Sequence, residues 1–188
     1  MRPLFTIHAG EYLAGLHIQK TLKLNAWIPA KDIGIDLLVT DPKNRRAVSL
    51  QIKYGKDFLP EEKVPEIRQK FRCASWFTLD WKKLNKSKAD YWVFVLQGFK
   101  SKQPDFVVIP TPELRKRMKE IHGAESGKLQ SYLCTIDKQC WETRVSKASG
   151  ISLTTIRLQI AQGTYVNAAR DFTQYLNAWD AIETKLKG

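Results

Sequence analysis

Two apolar segments separated by a short polar stretch constrain the fold of this chain more than any other feature. Residues 33–40 and 47–54 are rich in Ile, Leu and Val, and the stretch 41–45 between them contains the Asp, Pro and Asn typical of turns. This pattern predicts a β-hairpin. Folding about the middle of the polar stretch places Asp36, in the first strand, opposite residues 51–53 of the second.

The second strand of this hairpin has one apolar and one polar face, because side chains alternate along a strand. Its polar face carries Ser49, Gln51 and Lys53. The acid in the neighbouring strand, Asp36, lies within a run of Ile, Leu and Val where an acid is disfavoured, which indicates a functional role. We therefore expect Asp36, Gln51 and Lys53 to form a polar site on the surface of the sheet.

A helix predicted over residues 9–24 supplies a second carboxylate. Apolar residues cover most of its circumference, so we expect it to be largely buried. Glu11 lies on the same stripe as Gly15 and Ile18, which directs its carboxylate toward the interior, where it needs a cationic partner. The alternative role for Glu11 is a local contact in the first turn of the helix.

The residue types at these positions favour a divalent metal ion. Carboxylate oxygens of Asp36 and Glu11, the amide oxygen of Gln51 and the main-chain carbonyl of Ile52 are hard ligands suited to Mg²⁺ or Mn²⁺. Lys53 beside the metal can orient or deprotonate an attacking water and stabilise charge developing on phosphate oxygens. No phosphate-binding loop, zinc-binding histidine pair or catalytic-triad motif occurs in the sequence.

The segments GIDLL (34–38) and QIK (51–53), preceded by Glu11, resemble the core of the PD-(D/E)XK nuclease superfamily, the fold of restriction endonucleases and Holliday-junction resolvases. The resemblance covers about the first 55 to 60 residues. It implies a restriction endonuclease-like three-layer α/β/α fold with a central mixed β-sheet. It also implies that Asp36 and Gln51 are metal ligands, that Lys53 is the catalytic lysine and that Glu11 is the helix acid. Gln51 replaces the usual Glu or Asp, which is similar to a Gln-x-Lys subset that includes the Mrr-like restriction enzymes.

A large excess of positive charge indicates a polyanionic partner. Lys and Arg number 31 against 19 Asp and Glu, which gives a net charge of +12. Lys56 is an expected phosphate contact because it follows the site closely in sequence. Lys82, Lys83 and Lys86 are further expected phosphate contacts because they follow an aromatic segment.

That aromatic segment is predicted to be a loop. A helix is predicted over residues 64–74, where apolar residues recur at helical spacing, and the loop follows it. Trp76, Phe77 and Trp81 in the loop are candidates for stacking on an unpaired nucleobase, with packing on the core as the alternative.

The rest of the chain alternates between predicted strands and helices. Strands are expected over residues 91–96 and 105–109, a helix over 111–122, a hairpin from 130–136 and 141–145, and a helix over 168–186. This order favours one domain over residues 1–188 with a central mixed sheet flanked by helices. Residues 124–188 are expected to form a C-terminal extension packed on that core.

The cellular setting is expected to be the cytoplasm. The apolar runs are too short to span a bilayer, and the first residues lack the apolar core of a secretory signal. Cys73, Cys134 and Cys140 cannot all pair within one chain and fit no common zinc pattern, so we interpret them as reduced thiols.

These features predict a metal-dependent endonuclease that hydrolyses phosphodiester bonds of DNA, in restriction, repair or a role linked to mobile elements. The alternative is a non-catalytic nucleic-acid-binding module on the same fold, with a metal site weakened by Gln51. RNA is the alternative substrate on this scaffold. Because cutting both strands of a duplex takes two active sites, a homodimer is a further hypothesis.

Overall fold

The computed structural model of this chain describes residues 8–30, 34–99, 101, 103–123, 126–145 and 150–187. Within these ranges the α-helices are α1 (Ala9–Lys20), α2 (Pro65–Lys70), α3 (Trp81–Lys86), α4 (Thr111–His122), α5 (Leu153–Ala161) and α6 (Asp180–Lys187). The β-strands are β1 (Asn25–Trp27), β2 (Leu37–Thr40), β3 (Ala47–Gly55), β4 (Phe71–Asp80), β5 (Tyr91–Leu96), β6 (Asp105–Pro110), β7 (Lys128–Ile136) and β8 (Gln139–Glu142). Short 3-10 turns occupy Leu59–Glu61, Ala168–Arg170 and Thr173–Tyr175.

The main sheet has five strands in the order β1-β2-β3-β5-β6. The pair β3 and β5 is parallel, and the other neighbours are antiparallel. The predicted α/β class with a central mixed sheet is therefore confirmed. The predicted elements corresponding to β5, β6 and α4 are confirmed as well, and α4 ends at a left-handed glycine, Gly123.

The predicted hairpin forms from β2 and β3. Leu37 pairs with Leu50 and Thr40 with Ala47, so the expected register is confirmed. Backbone N–H groups of residues 43, 45 and 46 donate to the Asp41 carboxylate, which holds the turn. The first strand is shorter than predicted: β2 begins at Leu37, and residue 33 lies outside the described residues.

Two different layers cover the main sheet. On one face α1 and α6 pack on the apolar residues of β3, such as Leu50, through buried side chains that include Ile18 and Ile182. On the other face α4 is joined by a second, three-stranded antiparallel sheet in the order β4-β7-β8. Phe77 of this second sheet meets Phe94 of β5 edge-on at 4.9 Å between ring centroids. The second sheet was not predicted.

The sequence interpretation of residues 64–81 is wrong in two respects. The helix ends at Lys70, and the segment expected to complete it and to form a loop is the strand β4. Pairing with β7 along nearly its whole length fixes β4 as a strand, which outweighs the local helical spacing. Trp81 starts α3 and, like Phe77, is buried in the core.

Three further boundaries differ from the predictions. The first helix ends at Lys20 and not at residue 24, since Lys23 has a left-handed backbone (φ 57°). The second hairpin exists, but its strands are β7 and β8, and β8 ends at Glu142. The segment 168–179 consists of turns, and only α6 is helical, because Leu176 bridges the edge strand β6 at Val107.

A buried ionic cluster lies where β8 meets α4. Glu142 is fully buried and pairs with Arg170, while His122 Nε2 lies 3.9 Å from Glu142 Oε1. Burial raises the pKa of Glu142 to about 7. Burial, with the positive charges of Arg170 and Arg144, lowers the pKa of His122 to about 4.

The three thiols are free and buried. Burial raises the pKa of Cys73, Cys134 and Cys140, which disfavours the reactive thiolate at each position. None of the helices in the described part of the chain has the length and apolar character needed to cross a membrane.

Candidate active site

A cavity opens where the pairing of two neighbouring strands stops. The pairing of β2 with β3 begins at Leu37 and Leu50, whereas β3 continues to Gly55 in pairing with β5. A cavity of about 1210 Å³ opens beside residues 51–54. Its lining includes Glu11, Asp36, Gln51, Ile52, Lys53, Lys82, Lys83 and Lys86, so the structure brings together all but one of the residues predicted for the site.

Asp36 lies directly before β2 and is held there by main-chain and side-chain contacts. Its backbone N–H donates to the Leu50 carbonyl at 2.8 Å. Its Oδ2 accepts hydrogen bonds from Gln51 Nε2 and, at 2.6 Å, from the Ile52 backbone N–H. These contacts fix one carboxylate oxygen beside the Gln51 amide, because a charged acceptor strengthens each hydrogen bond.

The loop before Asp36 depends on a glycine. Gly34 has φ +81°, a left-handed backbone conformation that costs free energy for residues other than glycine. A Cβ at this position would lie 3.7 Å from Gln51 Oε1. The amide oxygen of Gln51 is therefore on the side of Gly34, while its nitrogen contacts Asp36.

The first turn of α1 brings Glu11 to the same cavity. Gly10 makes this possible, because a Cβ there would lie only 2.9 Å from Tyr54 Cβ and 3.3 Å from Ile52 Cγ2. The absent side chain lets α1 press against β3. Glu11 Oε2 also accepts from the His8 backbone N–H at 3.2 Å, so the alternative local role in the first helical turn is present alongside the position in the cavity.

Lys53 projects from the polar face of β3, as the alternation of the strand predicts. Its Nζ lies 5.5 Å from the centroid of the Trp92 ring on β5. The face of an indole ring attracts a cation, so Trp92 restricts the positions of the ammonium group. Lys53 is half-buried, which places a partly desolvated positive charge in the same cavity as Asp36.

The opposite wall of the cavity is basic. Helix α3 is anchored by the buried Trp81 and Leu84, which leaves its lysines exposed. Asp80 caps α3 by accepting from the Lys83 backbone N–H at 2.9 Å. The wall consists of Lys82, Lys83 and Lys86 from α3 and Lys128 from β7.

One predicted phosphate contact does not reach this wall. Lys56 does not line the cavity; its Nζ lies 3.7 Å from Glu61 Oε1 and 5.2 Å from the centroid of the Phe58 ring. Beyond Tyr54 the β3 strand leads away from the cavity, so Lys56 is close to the site in sequence but does not line the cavity. Of the three stacking candidates, only Trp76 remains exposed.

The available donor atoms fit a hard divalent ion. In the described residues no group of three or more His, Cys, Asp and Glu side chains is arranged to hold a metal. Three carboxylates line the cavity; Asp80 caps α3, while Asp36 and Glu11, with the Gln51 amide oxygen, are the candidate ligands. The Ile52 carbonyl points to the same side of β3 as its N–H, which bonds Asp36. An all-oxygen set with room for several waters is what Mg²⁺ and Mn²⁺ prefer.

Sequence reasoning did not place Lys128 or Trp92 in the cavity that they line. Lys128 arrives through the pairing of β4 with β7, which sets it opposite Asp80. Trp92 arrives through the parallel pairing of β5 with β3, which sets it beside Gln51. Both depend on contacts between distant segments, and no local pattern in the sequence carries that information.

The comparisons with known proteins add no assignment. No protein-family model, no curated protein and no solved structure matches this chain.

Proposed function

We propose that the protein is a Mg²⁺- or Mn²⁺-dependent endonuclease that hydrolyses phosphodiester bonds of DNA. The observation that carries this proposal is one cavity with oxygen ligands on one side, Asp36, Gln51 and Glu11, and lysines on the other. Hydrolysis of a phosphodiester in DNA requires a cation at the scissile phosphate and positive charge along the flanking phosphates, and this cavity offers groups for both. The restriction endonuclease-like arrangement of the fold belongs to this proposal, and the hairpin of β2 and β3, in which Leu37 beside Asp36 pairs with Leu50, supports it.

The candidate ligands and Lys53 have defined tasks in this reaction. Asp36, with Gln51, Glu11 and the Ile52 carbonyl, would hold the divalent ion. The ion would supply positive charge at the scissile phosphate and a water of lowered pKa. Lys53, restricted by Trp92, would hold the attacking water by a hydrogen bond and stabilise the negative charge that develops on the phosphate oxygens.

The basic wall supports DNA as the substrate. Lys82, Lys83, Lys86 and Lys128 line the same cavity and are exposed, so a phosphate backbone can contact them without rearrangement of the core. Such contacts position the strand and carry little sequence information. RNA remains the alternative substrate, and a homodimer remains a hypothesis for cutting both strands.

One observation favours a second candidate, a nucleic-acid-binding module without catalysis. Gln51 is neutral and donates its amide to Asp36, and the described residues contain no cluster of three metal-binding acids or histidines. A site with less negative charge holds a divalent ion more weakly. This module would bind DNA in a salt-sensitive manner through the same lysines and leave it intact.

The test is incubation of supercoiled plasmid with the protein in Mg²⁺, Mn²⁺ or EDTA. We expect nicking or linearisation with either metal and none in EDTA. Asp36→Ala and Lys53→Ala should each abolish cleavage. The matched control is Lys138→Ala, which removes one positive charge at an exposed turn outside the cavity.

The outcomes separate the two candidates. Cleavage lost in both site variants and kept in Lys138→Ala supports the nuclease. Intact plasmid in every condition, with the same gel mobility shift for the wild-type protein and the site variants, supports the binding module. Cleavage that survives in Asp36→Ala contradicts the assigned site.

A further inference from the structure

An aromatic cleft lies next to the cavity on the exposed face of the second sheet. Phe58, Trp76 and Tyr132 line a separate cleft of about 490 Å³. The ring centroids of Phe58 and Trp76 are 5.8 Å apart, and those of Trp76 and Tyr132 are 5.7 Å apart with the planes nearly perpendicular. Trp76 is 39% exposed, so a ligand can reach its indole ring.

Cations flank the outer rings of this cleft. Lys56 Nζ lies 5.2 Å from the Phe58 centroid, and the Arg144 guanidinium lies 5.8 Å from the Tyr132 centroid. The acids of the region are matched by cations: Glu61 lies 3.7 Å from Lys56, and Glu62 forms a buried pair with Arg157. Rings for a base, with cations at the edge for phosphates, form the combination that binds single-stranded nucleic acid.

Two paired strands, β4 and β7, extend from the cleft to the cavity. Trp76, Thr78 and Asp80 alternate on one face of β4, and the register sets them opposite Tyr132, Gln130 and Lys128 of β7. The last pair lines the cavity, and the first lines the cleft. At the rise of a strand, four residues span about 13 Å, so Trp76 lies a few nucleotides at most from the basic wall.

We propose that the cleft between Phe58, Trp76 and Tyr132 binds an unpaired nucleobase of a strand whose phosphates continue along Thr78 and Gln130 into the cavity. This rests on the proposed function in one respect, that the cavity binds nucleic acid. It narrows the substrate class to DNA with a single-stranded segment beside the duplex. Bases inside a duplex are stacked on their neighbours, so aromatic side chains cannot contact their faces. Exposed aromatic rings therefore select unstacked bases.

The test measures binding in EDTA, where cleavage plays no part. Fluorescence anisotropy compares a blunt duplex with the same duplex extended by a short thymine tail at its 3′ or 5′ end. We expect the wild-type protein to bind one tailed duplex about tenfold more tightly than the blunt one, in line with the contribution of one stacked base. Trp76→Ala should lose this preference and bind the blunt duplex as before.

Two further variants separate stacking from general damage to the fold. Trp76→Phe retains a ring and should keep most of the preference for the tail. Trp27→Ala removes another exposed tryptophan, on the edge strand β1 away from both the cavity and the cleft, and should behave as wild type. A 2-aminopurine base in the tail gives an independent signal, since stacking on the indole should quench its fluorescence in wild type but not in Trp76→Ala.

The results distinguish this inference from the proposed function. Equal affinity of the wild-type protein for blunt and tailed duplexes, or no binding of either, overturns the inference. A tail preference unchanged in Trp76→Ala also overturns it, as expected if the cleft instead receives a protein segment. A tail preference that depends on Trp76, with no metal-dependent cleavage of the same duplex by wild type, retains the stacking site and contradicts the nuclease.

Discussion

Replacing Gln51 by glutamate tests whether the side chains of residues 36 and 51 contact each other in one metal site. In the wild-type protein the Gln51 amide donates a hydrogen bond to Asp36 Oδ2. Gln51→Glu replaces that donor by a second carboxylate, so the two side chains repel each other when no cation lies between them. We expect the variant to be less stable than wild type in EDTA and to recover in Mg²⁺.

The size of the effect follows from two contributions. A lost hydrogen bond to a charged group costs about 1.5 to 3 kcal/mol. Two unit charges about 4 Å apart at an effective dielectric constant of about 20 repel by about 4 kcal/mol, and proton uptake by one carboxyl reduces this. A net loss of about 3 kcal/mol lowers the melting temperature by about 10 °C in a domain of this size.

The assay is thermal unfolding of both proteins at about pH 7.5, in EDTA and in excess Mg²⁺. A ligand at a hundredfold excess over its dissociation constant stabilises the folded state by about 2.7 kcal/mol, which would restore most of the loss. Gln19→Glu is the matched control, because it adds the same charge at an exposed position on α1. The reasoning is refuted if Gln51→Glu has the same melting temperature as wild type in EDTA, or if Mg²⁺ leaves the melting temperature of the variant unchanged.

Three further changes have defined outcomes in unfolding experiments. Between about pH 7.5 and 5 the free energy of unfolding of the wild-type protein should fall by about 2 kcal/mol more than that of His122→Gln. In the folded state the pKa of His122 is about 4, so His122 stays neutral, whereas the unfolded chain binds a proton there below about pH 6.5. Parallel pH profiles of the two proteins would contradict this. Gly10→Val should destabilise by about 1 to 3 kcal/mol through its clash with Tyr54 and weaken Mn²⁺ binding, whereas Gly15→Ala, with only one contact at 4.0 Å, should do neither. Asp57→Ala should cost about 4 kcal/mol, because it removes the acceptor of three backbone N–H groups, and a loss below about 1 kcal/mol would contradict that role.

The part of the fold that could be predicted from the sequence is the part with strong local patterns. The hairpin of β2 and β3 combines apolar strands with a polar turn, and its register follows from the turn. Helix α4 carries its own start and stop signals, with Pro112 near its beginning and Gly123 after its end. These elements depend little on distant contacts, so the sequence predicts them well.

The errors lie where distant segments decide the structure. Ile67, Phe71 and Ala74 recur at helical spacing, yet only Ile67 is in a helix. The strand β4 is set by pairing with β7, whose paired residues lie 48 to 65 positions further along the chain, and this second sheet has no local signature. In the last segment Phe172 and Trp179 are buried, but turns and not the predicted helix present them to the core.

The candidate site shows the same division. Asp36, Gln51 and Lys53 could be placed because they share one hairpin, and Glu11 because it lies on a helix whose buried stripe is readable. Lys128 could not, because its position depends on the register of the second sheet. Lys56 was predicted to contact phosphate on sequence distance alone, and the structure places its ammonium over the Phe58 ring, outside the cavity.

The measurement that most directly tests the central claim follows Mn²⁺ binding and DNA cleavage in the same samples. Electron paramagnetic resonance reports the bound Mn²⁺ as the ion is titrated into wild type and Asp36→Asn, while gel analysis follows the first nick in supercoiled plasmid. We expect bound Mn²⁺ and nicking to rise together in wild type and to be lost together in Asp36→Asn. Nicking by Asp36→Asn at the wild-type rate, or Mn²⁺ bound by wild type with no nicking at any concentration, would contradict the account.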